Sequence, residues 1–214
     1  MFTKLYRRLC MKTMNGLAYN WLLRRIVPRI RFSLYYPHFT GRQFWNGYYV
    51  LTYGDILLSR DSRKLSSYLI PGSMPHAAVL VENWWKRDRA WFPREQKGEI
   101  VEAVAEGVRL TTWFEFCHES DRVMILRCID WGEEYALGTI IPKALELVGT
   151  PYDNQFHFDS KAMYCSELPY HCDIEHRAKV NTKDLFGLGY KYVSAQDWLD
   201  AENVKVVWDS DWEK

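Results

Sequence analysis

The chain has 214 residues, 48% of them hydrophobic and 26% charged, the profile of one soluble domain with an appendage. Its net charge of +1 hides an asymmetry: nine of the 28 Lys/Arg precede the first acidic residue, Asp55, and the remainder carries 19 basic against 27 acidic residues, a net of −8. The body is therefore no nucleic-acid binder by charge, no apolar stretch approaches a membrane span, and five scattered cysteines (10, 117, 128, 165 and 172) argue for reduced thiols rather than a disulfide framework.

Residues 1–36 read as a basic, aromatic and helical arm in which Leu5, Leu9, Leu17 and Trp21 are loosely spaced without forming one stripe, and which Pro28 ends or kinks. Such an arm either packs over the domain or lies on an anionic membrane surface. Arg24, Arg25, Arg29 and Arg31 interleave with Trp21, Phe32 and Tyr35, but no nucleic-acid module surrounds them, so a nucleic-acid partner is not expected. No signal peptide is evident, since Asn15 and Asn20 interrupt the apolar run after Lys12; a cytoplasmic protein, peripheral to a membrane at most, is expected.

The arm is taken as 1–47 and the body as 48–214. Strand character begins at Tyr48–Leu51, followed by a Gly54-Asp55 turn and a buried strand at Ile56–Leu58. A polar stretch and the loop Pro71-Gly72-Ser73 lead to a strand headed by His76; a Trp-rich, charged loop over 83–98 leads to another at Glu99–Val104. A short helix over Thr111–His118, a strand over Arg122–Arg127 and a helix over Trp131–Val148, disturbed by Pro142, come next. A helix then carries Cys165 in its first turn, a Gly-containing loop spans 184–190, and Val193–Leu199 and a strand at Val204–Trp208 close the chain. Central strands with helices toward both ends predict an α+β fold.

A cysteine among unpaired backbone N–H groups at a helix start is favoured as thiolate, and an imidazole at a rigid strand end is placed to serve as its base. Strand periodicity puts His76, Ala78 and Leu80 on one face, and Ile100, Glu102 and Val104 on one face of the next strand. Paired as a hairpin, these strands bring Glu102 near His76, where a carboxylate orients the ring; Glu99, Glu106 and Glu82 compete for that role on spacing alone.

Gly54-Asp55-Ile56-Leu57, His76-Ala77-Ala78-Val79-Leu80, Ile100-Val101-Glu102-Ala103, Gly149-Thr150-Pro151-Tyr152-Asp153 and Tyr164-Cys165-Ser166-Glu167-Leu168 together resemble the NlpC-type papain-like cysteine hydrolases, in the circularly permuted order of the YiiX/YebB-like branch. The resemblance implies a central antiparallel sheet packed against the cysteine helix. It also implies Cys165 as nucleophile, His76 as base and then acid, Glu102 as orienting group, and Tyr152 and Tyr164 beside the substrate. No cofactor or metal is implied, and the substrate class is a small peptide, amide, ester or lipid-like acyl group. Pro169, four residues after Cys165, predicts a kinked or late-starting helix.

Two other readings stand beside this one. Cys165, Cys172 and His176 fall at i, i+7 and i+11 and would form one zinc-binding stripe on an ideal helix. Alternatively, a catalytically silent domain, rich in Trp and Tyr, binds lipid or peptide and attaches to an anionic surface by its arm.

Overall fold

The computed structural model describes residues 39–64, 67, 72–82, 98–154, 156, 158, 161–184 and 191–213. The basic arm up to residue 38, the Trp-rich loop 83–97 and the loop 185–190 lie outside the described residues.

Six strands form the central sheet: β1 (Ile56–Arg60), β2 (His76–Leu80), β3 (Ile100–Val104), β4 (Gly107–Thr111), β5 (Arg122–Cys128) and β8 (Val204–Asp209), in the order β4-β3-β2-β1-β5-β8. Every neighbouring pair is antiparallel. A separate two-stranded ribbon joins β6 (Lys183–Asp184) to β7 (Lys191–Tyr192). The α+β expectation holds.

Alternation along the central strands builds two cores. One face presents Leu57, Ala78, Leu80, Ile100 and Ile125 to Trp113, Phe116 and Trp208. The other presents Ile56, Leu58, Ala77, Val79, Val101 and Leu126 to the helical segments that carry Ala136, Ile140, Leu168 and Trp198. Helices α1 (Gly41–Val50) and α2 (Trp113–His118) contribute to the first core. The second face meets α3 (Glu133–Tyr135), a π turn over Ala136–Ile140, α4 (Ile141–Glu146), α5 (Glu167–Cys172) and α6 (Ala195–Leu199). The expected disturbance at Pro142 takes the form of this π turn, which comes immediately before Ile141-Pro142 in a helical run continuous from Glu133 to Glu146.

The strand expected at Tyr48–Leu51 is instead the end of α1, and the 47/48 boundary falls inside that helix. Aromatic residues suit strands, but here their spacing is helical, stacking Phe44 on Tyr48 and Trp45 on Tyr49. Thr40 and Gln43 form a reciprocal capping box, and the Gln43 amide also donates to the Ser210 carbonyl at 2.9 Å. Gly47 lets the helix backbone approach the core, since a Cβ there would meet the Trp113 ring at 2.8 Å.

The Gly54-Asp55 turn is an anchor. Gly54 has φ +79, and Asp55, 1% exposed, accepts two bonds of 2.7 Å from Arg127 and one of 2.7 Å from the Thr52 N–H. Removing the arginine would strand a buried carboxylate, a loss of about 3–5 kcal/mol. Strand β4 is not expected from the sequence; it returns from β3 through the tight turn Ala105-Glu106, with Gly107 at φ +120 against the Thr150 carbonyl.

Candidate active site

The turn before α5 is held at three points. The Tyr164 N–H donates to Glu167 Oε2 at 3.3 Å, the Val193 N–H donates to the Tyr164 hydroxyl at 2.9 Å, and the Trp198 indole donates to the Ser166 carbonyl at 3.0 Å. Between these fastenings sits Cys165, 3% exposed. The helix starts later than the sequence suggests: Ser166 is the N-cap and Cys165 precedes it, outside the first turn. Pro169 explains the delay, because it fits only where backbone N–H groups need no helical partner.

Gly149–Asp153 stitches this turn to the sheet. The Val108 N–H donates to the Thr150 carbonyl and the Gly149 N–H to the Val108 carbonyl, while Met163 and Asp153 bond across from Pro151 and Met163. Tyr152 is thereby bridged to Met163, and its phenol is set close enough to Cys165 to feel the charge of the sulfur. Burial first, then the charges of Cys165 and Asp153, push the phenol well above its ordinary value, so it stays a protonated donor.

His76 is the first residue of β2, and its imidazole reaches both partners. Nε2 lies 2.9 Å from Glu102 Oε2, and the ring also lies beside Cys165, which helps to raise it. Register explains the first contact: Glu102 pairs with Ala78, which places it diagonally from His76 on the same face. Beyond Ala78 the β2–β3 ladder ends, and the Ala77 backbone N–H is among the groups that favour the Cys165 thiolate. The thiol itself leans toward the Pro75 carbonyl at 3.6 Å.

Glu102 has a second partner that the sequence did not suggest. Arg109 lies directly opposite on β4 and donates to Oε1 from Nε at 2.9 Å and from a terminal nitrogen at 2.8 Å. The signal lay in the β3–β4 turn, which sets Glu102 against Arg109 once its two-residue loop is recognised. Phe116 covers the imidazole, its ring centroid 5.9 Å away.

These contacts separate the charges. Burial alone would depress His76, but hydrogen bonds and charge from Cys165 and Glu102 outweigh it and raise the imidazole to about 9. Burial alone would raise Cys165, but His76 and the Ala77 N–H hold it below the ordinary thiol value. Glu102 falls to about 2 against its burial, through His76 and Arg109. The other described thiols go the opposite way: burial pushes Cys117 and Cys172 up, and Cys128 to about 11. Cys165 alone among them has the character of a nucleophile.

The competing carboxylates are placed elsewhere. Glu99 accepts from the Trp113 N–H at 2.8 Å and the Tyr48 hydroxyl at 3.1 Å, so it organises α1 and α2. Glu82 is buried just beyond β2, and Glu106 sits in the exposed β3–β4 turn. Tyr164, expected beside the substrate, is 1% exposed and belongs to the core, with its ring against Phe156. The zinc stripe also fails. Helix α5 spans only Glu167–Cys172, Cys172 is wholly buried, and His176 lies beyond the helix against Tyr170. No group of three His, Cys, Asp or Glu able to hold a metal occurs among the described residues.

A histidine and carboxylate early in the chain and the cysteine late reverse the papain order, and the family model of the permuted papain-like amidase enzymes, YaeF/YiiX, C92 family, matches residues 50–211. The chain belongs to this family. A similar fold is seen in the crystal structure of metalloprotein yiiX from Escherichia coli O157:H7, 20% identical, with 73% of this chain and 96% of that one covered at a TM-score of 0.58. No curated protein matches the sequence. Within the permuted family, the first strand-borne elements and the late cysteine turn seen here meet at one end of the sheet, beside Pro75 and Ala77.

Proposed function

We propose that this protein is a cysteine amidase or acyl hydrolase in which Cys165 attacks an amide or ester carbonyl. The observation that carries this reading is the continuous row Cys165, His76, Glu102, Arg109, with the thiol lowered and the imidazole raised. The thiolate forms the carbon–sulfur bond as the carbonyl electron pair moves to oxygen. That oxyanion is met by the Cys165 backbone N–H and the Tyr152 hydroxyl. The His76 imidazolium gives its proton to the leaving nitrogen or oxygen as that bond breaks, leaving an acyl-enzyme. A water, or another acceptor, then loses its proton to His76 and displaces Cys165 as thiolate.

Trapping tests this directly. After brief reaction with an activated ester, peptide mass spectrometry is expected to find the acyl group on Cys165 and on no other cysteine. Acylation spread over Cys117, Cys128 and Cys172, or absent, would overturn the assignment. The intact row also disfavours the silent-binder reading. The similar E. coli protein is a metalloprotein, but that property brings no ligand set to this chain, whose described residues contain no three-donor group.

Arg109 acts through Glu102 as a positioning residue. Its guanidinium is 46% exposed at the rim, so its contribution is orientation more than burial energy. Arg109→Met is expected to lower kcat about 5- to 20-fold with KM nearly unchanged, and Glu102→Gln about 100-fold, because the amide cannot hold the imidazolium. An Arg109→Lys variant that restores most of the rate separates orientation from folding. A KM-only effect would place Arg109 in substrate binding instead.

A further inference from the structure

One face of the molecule exposes a run of large aromatic side chains. On α1 and α2, Trp45 is 48% exposed, Tyr49 65% and Phe114 63%. They form one patch through Phe44, whose ring lies 5.2 Å from Trp45 and 6.3 Å from Phe114, while Trp45 stacks on Tyr49 at 5.9 Å. An open groove of about 480 Å³ runs between them, floored by Tyr48 and Trp113.

We infer that this aromatic face docks onto an anionic phospholipid bilayer. The groove's polar lining is already engaged: both Glu99 oxygens accept bonds, from Trp113 and Tyr48, and the Thr112 hydroxyl bonds Glu115. The rest of the lining is aromatic rings, so what the face mainly offers is aromatic area. Trp and Tyr favour the headgroup level of a bilayer, and Arg42 continues the same exposed stripe one turn before Trp45 and two before Tyr49. Charge complements the patch. Residues 1–38, which lead straight into α1, carry eight Lys/Arg and no Asp/Glu. The body after them is acidic and repels anionic lipid, so basic chain and aromatic face joined at α1 fix which side approaches. Two weak signals together give stable attachment.

Flotation of the full chain with vesicles tests the inference without reference to turnover. The protein is expected to float with phosphatidylcholine vesicles containing phosphatidylserine and much less with phosphatidylcholine alone. The triple variant W45S/Y49S/F114S is expected to lower the partition coefficient about tenfold or more. Flotation unchanged in the triple variant would mean that charge alone attaches the protein, and overturns the docking face. So does no flotation, including the case where the patch instead drives self-association or captures a protein. Should the triple variant fail to fold, Tyr49→Asp replaces it: loss of flotation supports the face, and unchanged flotation overturns it.

Discussion

Cys165→Ala is expected to abolish turnover of any substrate the wild type cleaves, by at least about four orders of magnitude, without unfolding the protein. The side chain is small and the turn that carries it is fastened by Tyr164, Ser166 and Glu167, not by the thiol. Thermal melting should therefore stay within a few degrees of wild type, on the order of the shift a minor core change produces. Measured turnover above the reagent background in a folded Cys165→Ala protein would remove Cys165 from the chemistry.

His76→Ala has the second largest expected effect, and pH reveals it. In the wild type Cys165 is lowered and His76 is raised from 6.5 to about 9, so thiolate and imidazolium coexist between the two values. Below the cysteine value the sulfur is protonated and both alkylation and turnover fall. Above about 9 the imidazole is neutral: alkylation continues, because the thiolate persists, but turnover declines for want of an acid for the leaving group. Glu102, lowered to about 2, adds no further limb near neutrality. Without His76 the acid limb of alkylation should move up toward a free thiol near 8.5, and the iodoacetamide rate at about pH 6 should drop about 10- to 100-fold. An unchanged alkylation profile in His76→Ala would show that the imidazole does not hold the thiolate.

What the sequence made legible was mostly what periodicity and short range encode. The two-residue period of a strand puts His76 on one face of its strand and Glu102 on one face of the next, so their meeting followed once the strands were paired, while Glu82, Glu99 and Glu106 still competed on spacing. Ile56–Leu58, a short apolar run after the Gly54-Asp55 turn, read as a buried strand for a different reason, its unbroken apolar character. Errors arose where tertiary contact overrides local preference. Tyr48 and Val50 look like strand residues until Gly47 is seen against Trp113, and Tyr164 looks like a cleft residue until Val193 takes its hydroxyl. Arg109 was missed because β4 was, and the Ala77 N–H because a backbone donor leaves no trace in residue type.

The fastenings behind Cys165 also set an order in time. The hairpin holding His76, Glu102 and Arg109 is complete once residue 111 has been made. Val193 and Trp198, which hold the cysteine turn in place, leave the ribosome much later. A growing chain therefore carries His76 and the Glu102–Arg109 ion pair long before the Cys165 sulfur has a fixed address. The permuted order thus makes the Cys165 turn the last part of the row to be seated.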